Sequence, residues 1–510
     1  MTKTGLKHFG KVIVSLVCLG KISVQRIHNY MINQRTRVLL FVVIPIILLA
    51  GIFALGSHRQ AEPVPVEEKA ADTGLADILE RGVLRAATNY NSTNYFIYRG
   101  EPMGFHLELL RLFAMDLGVE LEVYVSNEIG EQLDCLLDEQ SCDLLALDLT
   151  VTQSRREQVW FAEPHSTTRQ VLVQRTGRLY THNNDKQPYP VTSQLELGGK
   201  TVHVQKNSAF VSRLQSLMEE IGDTIYIVEM QEDVEQLIEM VAKGEIDYTV
   251  SDEHLASLNQ FYYASIDVSL PLSFEQKQSW AVRPGSSALL EAVNVWLVNF
   301  KETAQFATIY DKYYNNGRSV FRAKSQMHSL GGGKVSAFDH YFKEYSGIVG
   351  WDWRLIASLA YQESRFNPEA VSWAGAFGIM QLMPGTAEFL NVEPESPVPN
   401  HIEAAITYLK WLDGLLLEHI ADDEERIKFV LASYNMGIGH LMDARRLAEK
   451  YGRDPNVWQD NVDYFVLNKS KPEYYRDPVV RFGYARGSEP YNYVYEILER
   501  YSHYRNALEV

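Results

Sequence analysis

Apolar positions along the chain follow three different patterns. Val38–Leu55 is an unbroken run of eighteen uncharged residues, which at about 1.5 Å rise per residue just spans a bilayer's hydrocarbon core. From Leu75 to Gly317 short apolar runs alternate with helical stripes. Val83–Ala87, Leu144–Leu149, Thr201–Val204 and Tyr248–Val250 predict strands, while Leu107–Leu117 and Val234–Ala242 predict helices. That alternation predicts an α/β domain with mainly parallel sheets, long enough for two lobes. Beyond residue 335 the period becomes 3.6, as in Ile402/Ala405/Ile406/Leu409 and Ile427/Val430/Leu431/Tyr434, and predicts an all-α domain. Polar joins separate these regions. The organisation is therefore 1–60 (basic head and apolar segment 38–55), linker 61–74, α/β domain 75–317, linker 318–334 with its glycine-rich Ala323–Lys334, and helical domain 335–510.

Charge sharpens this picture. Residues 1–60 hold eight Lys or Arg and no acid, so the net charge of −17 leaves −25 for residues 61–510. An acidic body argues against nucleic acid as a partner. Seven of the cations precede the apolar segment, which places the N-terminus in the cytoplasm and everything after about residue 60 outside. Retention and removal of the segment both stay open: Ala54-Leu55-Gly56 suits a signal peptidase, yet the run exceeds most secretory h-regions. Cys18 follows Val17 rather than a small residue, which disfavours lipoprotein anchoring. Cys135 and Cys142 either close a small disulfide loop or stay as thiols. No Cys/His group has zinc-ligand spacing, and neither a metal nor a cofactor is expected.

Candidate chemistry concentrates in Trp353–Ala387. Asp352 can cap a helix whose apolar stripe is Ile356, Leu359 and Ala360, and Glu363 continues that stripe seven residues beyond Ile356. A carboxyl on the inward face of a helix end is disfavoured as an anion, as a general acid working near neutral pH requires. Pro368 prevents a long helix through this point. Taken alone, a Glu on an apolar stripe is more often a structural, ion-paired residue.

Glu363-Ser364, Pro368-Glu369-Ala370-Val371-Ser372 and Gly375-Ala376-Phe377-Gly378-Ile379-Met380-Gln381 resemble the signature of the lysozyme-like lytic transglycosylases. Ala432–Gly439 resembles that family's Ala-Ala-Tyr-Asn-x-Gly motif, and Glu489–Val494 its Glu-Thr-Arg-x-Tyr-Val motif. The resemblance implies a lysozyme-like fold and peptidoglycan glycan strands as substrate. It also implies Glu363 as the single catalytic acid/base, with Ser364, Met380, Gln381, Tyr434, Asn435 and Tyr493 around the sugar. In such enzymes the glutamate protonates the oxygen bridging N-acetylmuramic acid to N-acetylglucosamine. It then deprotonates the muramyl C6 hydroxyl, which closes a 1,6-anhydro ring. A hydrolytic muramidase would need a second carboxylate, and Glu369 is expected to face solvent. A non-catalytic glycan-gripping sensor is the remaining alternative.

Met103–Glu108, Asp143–Pro164 and Gly244–Asp252 resemble the family-3 solute-binding proteins, which implies a two-lobed, type II periplasmic-binding-protein-like α/β domain. In receptors of that family that bind amino acids, an arginine holds the carboxylate and a late aspartate the ammonium. Arg155 and Asp252 stand at those positions, with Thr152 beside the carboxylate, and the ligand expected is an amino acid or a muropeptide. Asn207-Ser208 and His165 depart from the pattern. The order of anchor, solute-binding module and transglycosylase domain resembles membrane-bound lytic transglycosylases of the Gram-negative envelope. That resemblance implies a membrane-associated chain on the periplasmic side, at the inner face of the outer membrane. Val38–Leu55 taken physically implies a tether in the inner membrane instead.

Overall fold

A computed structural model describes residues 74–138, 141–176, 190–315 and 333–508. The basic head, Val38–Leu55 and nearly all of both linkers lie outside the described residues. Among the described residues no helix is long and apolar enough to cross a membrane.

After a helix at Gly74–Arg81, the α/β region builds two sheets. The first uses β1 (Val83–Thr88), with the hairpin β2 (Phe96–Tyr98) and β3 (Glu101–Met103) standing apart, then β4 (Glu120–Val125), β5 (Leu144–Thr150), β6 (Trp160–Phe161) and β7 (Ser166–Thr168). The second uses β8 (Gln170–Arg175), β9 (Thr201–Gln205), β10 (Tyr226–Met230), β11 (Tyr248–Asp252) and β12 (Ile266–Pro271), and β13 (Gln276–Val282) returns to the first. Helices α1 (Phe105–Leu117), α2 (Ile129–Leu137), α3 (Ala209–Ile221), α4 (Val234–Lys243), α5 (Glu253–Tyr262) and α6 (Ser287–Lys301) are distributed between the two lobes. The expectation of mainly parallel sheets holds for β4-β1-β5 and β10-β9-β11. It fails for β8, β12 and β13, which pair antiparallel. These are the strands at which the chain crosses between the lobes, at β7–β8 and β12–β13, and each enters its new sheet running against its neighbours. Cys135 and Cys142 form a disulfide, their Cα atoms 5.3 Å apart.

The helical region packs α7 (Trp353–Ser364), α8 (Val398–Leu417), α9 (Asp423–Met436), α10 (Ile438–Lys450) and α11 (Ser488–Ala507) around one apolar core. Among its described residues the only β features are isolated bridges at Val371, Phe377 and Leu382. This is the predicted two-lobed α/β domain followed by an all-α, lysozyme-like domain.

The β2–β3 hairpin joins the two. Its turn residues Arg99 (φ 52°) and Gly100 (φ 82°) both have positive φ, as a tight two-residue hairpin requires. A side chain at Gly100 would collide with Tyr361, Phe366 and Tyr504 of the helical domain. Ile97, fully buried, belongs to the helical core rather than to its own lobe. Tyr361 donates to Glu101 Oε2 (2.6 Å), Tyr504 to the Gly100 carbonyl (2.7 Å) and Asn506 to the Val123 carbonyl (2.7 Å). Arg111 pairs with Glu499 at 3.1 Å.

Candidate functional site

Asp352 caps α7 as expected, its carboxylate accepting from the Arg354 amide at 2.9 Å. Ile356, Leu359 and Ala360 are fully buried, and the next residue of that stripe is Glu363. The helix ends one residue later because Arg365 and Phe366 both turn left-handed, at φ 53° and 61°. Burial pushes the Glu363 carboxyl up to about 7, the hydrogen bond from the Tyr493 hydroxyl opposes the rise, and the Glu489 charge adds to it. Tyr493, on α11, and Tyr434, near the end of α9, form the wall. Burial and the nearby Glu363 charge hold both phenols well above their usual range. Tyr434 donates to the Met380 carbonyl at 2.7 Å, which fixes its ring at the pocket. Asn435 follows it, half-buried.

Three of the expected sugar-lining residues are tied into the loop that carries them. Ser364 donates to the Ile379 carbonyl (2.7 Å) rather than to Glu363. The Met380 side chain is fully buried in the core, leaving only its carbonyl near the site. Gln381 spends its amide N–H groups on the Ala370 and Gly378 carbonyls, at 2.9 and 2.8 Å. The loop must be drawn in tightly: at Gly378 (φ +78°) a Cβ would overlap the His401 ring. Glu369 is exposed, as expected.

The second site lies between the lobes, a cleft of about 100 Å³ lined by Asn91, Asp148, Arg155, Ser208, Asp252 and His254 among others. Arg155 reaches across it, donating to the Thr150 carbonyl (3.1 Å) in one lobe and the Asn207 carbonyl (3.4 Å) in the other. Burial lowers its guanidinium to about 10, against the pull of Asp252. Burial raises Asp252 to about 6, with Asp148 adding to the rise. Its Oδ2 accepts from Gln278 at 3.1 Å. Asp252 Oδ1 and the Ser208 hydroxyl are buried without a partner among the described residues, which a ligand in the cleft would relieve. Thr152 does not line the cleft: its hydroxyl caps the short helix Gln153–Arg156 by accepting from the Arg155 amide, so it orients that arginine.

His106, Asp148 and His165 have the residue types of a metal site. Their hydrogens argue otherwise. The Trp280 indole donates to His106 Nδ1 (3.0 Å), so His106 Nε2 carries the proton that faces Asp148 at 3.2 Å. His165 Nε2 faces the Leu147 carbonyl at 3.3 Å and must also donate. Burial pushes Asp148 up, but the His106 and His254 rings outweigh it and hold the carboxyl well below its usual range.

A family model described as Transglycosylase SLT domain matches residues 340–457, and one described as Bacterial extracellular solute-binding proteins, family 3, matches residues 84–316. A protein of Desulfosudis oleivorans named membrane-bound lytic murein transglycosylase F is 34% identical over 425 residues, 83% of this chain and 90% of the relative. One of the same name from Pseudomonas fluorescens is 32% identical over 435 residues, 84% of this chain and 85% of its own length. The chain belongs to the membrane-bound lytic murein transglycosylase F family. Among solved structures, a mutant of the arginine-binding protein of T. maritima aligns at 22% identity with TM-score 0.40, over 48% of this chain and 100% of that one. An amino acid transporter substrate-binding protein of Streptococcus pneumoniae, bound to L-arginine, aligns at 19% identity with TM-score 0.41, over 48% and 98%.

In this chain the SLT match stops at residue 457, yet the Tyr493 that bonds Glu363 comes from α11, some thirty residues further on. Sequence reasoning found that tyrosine through the third motif. It missed Glu489, the first residue of the same motif, exposed but close enough for Glu363 to feel its charge. It also missed Asp148 and His254, which come from β5 and α5 and meet only in the fold.

Proposed function

We infer that Glu363 is the single proton-transfer group of a peptidoglycan lytic transglycosylase. The chain is a murein-cleaving lyase with a solute-binding module. The observation that carries the reading is one apolar-buried carboxyl, raised to about 7, with a tyrosine hydroxyl on it and, among the described residues, no cation against it. Such a group is protonated often enough near neutral pH to donate, and is a competent base once ionised. It gives its proton to the oxygen between N-acetylmuramic acid and N-acetylglucosamine as the C1–O bond breaks. It then takes the C6 hydroxyl proton as O6 bonds to C1, leaving a 1,6-anhydro end. Tyr434, Asn435 and Tyr493 bound the sugar, while Ser364, Met380 and Gln381 set the height of the loop under it.

Glu489 favours one competing reading, a hydrolase with a second carboxylate. It is exposed, on the first turn of α11, where it is poorly enclosed to hold a water molecule. Mass spectrometry of soluble products from purified sacculi decides the matter. Anhydro products, lighter by one water, are expected, and reducing ends would replace the lyase with a muramidase.

For the inter-lobe cleft the reading is a regulatory site for an amino acid or muropeptide, with Arg155 on the carboxylate and Asp252 Oδ1 on the ammonium. The hairpin β2–β3 supports coupling: Asn91 and Asn94, just before it, line the cleft, while Ile97 and Gly100 are set in the helical domain. Calorimetric titration with amino acids and muropeptides, repeated on Arg155→Ala, tests this. Binding lost in the variant is expected, and equal binding by both proteins rejects the site. With relatives named membrane-bound and an uncharged Val38–Leu55, the chain is read as envelope-associated with its catalytic part on the periplasmic side. The inner face of the outer membrane and an inner-membrane tether are told apart by membrane fractionation.

A further inference from the structure

The outward face of α8 breaks the usual pattern of a surface helix. Tyr408, Trp411 and Leu415 fall three and four residues apart and so share one face. Trp411 is 47% exposed and Leu415 44%, where polar side chains belong. Isolated apolar residues on a surface need no explanation, but a continuous patch adjoining a site does. This patch is continuous with the catalytic pocket. The Tyr434 ring, in the pocket wall, lies 5.7 Å from that of Tyr408, and Tyr408 lies 5.6 Å from Trp411 with ring planes 16° apart. The two ends differ in solvation: burial and the Glu363 charge raise the Tyr434 phenol well above its usual range, whereas Trp411 stands in water.

We propose that Trp411, backed by Tyr408, is an aromatic platform that stacks an N-acetylhexosamine ring of the glycan strand outside the catalytic pocket. This rests on the reading of the helical domain as a glycan-cleaving enzyme. The substrate is a polymer, so sugars next to the reacting pair must lie on whatever surface adjoins the pocket. A pyranose offers a C–H-rich face to an aromatic ring while its hydroxyl and acetamido groups stay in water. A half-exposed, uncharged indole suits that better than it suits the charged stem peptide. Trp411 is thus a positioning residue that selects for longer strands and fixes their register relative to Glu363.

The test compares the full chain with Trp411→Ala and Trp411→Phe on purified glycan strands of graded length, with Glu363→Gln as the inactive control. For Trp411→Ala the ratio of variant to wild-type KM should climb with strand length to roughly tenfold, the order of one well-packed aromatic contact, while kcat hardly moves. Trp411→Phe should restore most of the affinity. A KM ratio that is flat with length, or a kcat loss equal on all strands, overturns the platform and leaves Trp411 structural. Unchanged kinetics with an altered sedimentation coefficient overturn it in favour of a protein contact, a second copy included. Failure of the underlying enzymatic reading would look different, since wild type itself would then release no glycan fragments.

Discussion

The glycan pocket and the inter-lobe cleft each shut a carboxylate away from water, and the two titrate in opposite directions. At Glu363 burial and the Glu489 charge outweigh the hydrogen bond from Tyr493, so the neutral form is favoured and the pKa rises to about 7. Asp148 suffers the same burial, but His106 and His254 approach it at 3.2 and 3.4 Å and hold it well below the usual range. Burial alone therefore does not set protonation; the partners brought along with it do. One site keeps a proton available for chemistry, whereas the other keeps a fixed negative charge, which in turn raises His254 despite its burial.

The comparison breaks most severely at Glu363→Gln, which removes the proposed proton donor and should cut turnover by on the order of 10²–10⁴-fold. The same variant should melt higher than wild type at pH 8. A carboxyl whose folded pKa is raised costs stability as pH climbs from its unfolded value to about 7, and glutamine carries no such cost. A gain of a few degrees at pH 8 that vanishes near pH 4 is expected in thermal melts. Asp148→Asn should do the reverse. Its depressed folded pKa contributes stability that is present above about pH 4 and lost on acidification. The variant should thus be about 2–3 kcal/mol less stable at pH 7, with the gap closing as pH falls. Smaller effects separate the influences on Glu363. Tyr493→Phe deletes the bond that lowers its pKa, so the alkaline limb of the pH–rate profile should move up. Glu489→Gln deletes the charge that raises it, so that limb should move down. Shifts in the same direction would contradict the assignment. Glu369→Gln, exposed, should change neither rate nor profile.

Much of this is legible in the sequence. Hydrophobic period separates the α/β and helical regions and places β1, β5, β9, β11, α1 and α4 within a few residues of where they lie. The apolar stripe of α7 is enough by itself to put Glu363 on an inward face. Motif resemblance locates the loop at Gly375–Gln381 but cannot tell side chains that touch sugar from those that hold the backbone. The Met380 side chain fills the core and Gln381 bonds carbonyls across its own loop, contacts that the motif alone does not reveal. The His106–Asp148–His254 group leaves no signal because its members lie on α1, β5 and α5, and single histidines in a sequence carry no spacing to read. Trp411 is invisible for a related reason: its meaning depends on Tyr408 and Tyr434 being neighbours in space.

Ile97 has a consequence for how the two modules come apart. A residue from the α/β domain completes the helical core, so a helical domain expressed alone would carry a hole of isoleucine size, costing on the order of 2–5 kcal/mol. The excised α/β domain would show water an apolar finger. Calorimetry of the intact chain should therefore record one cooperative endotherm where two modules would suggest two, and limited proteolysis between them should release fragments less heat-resistant than the parent.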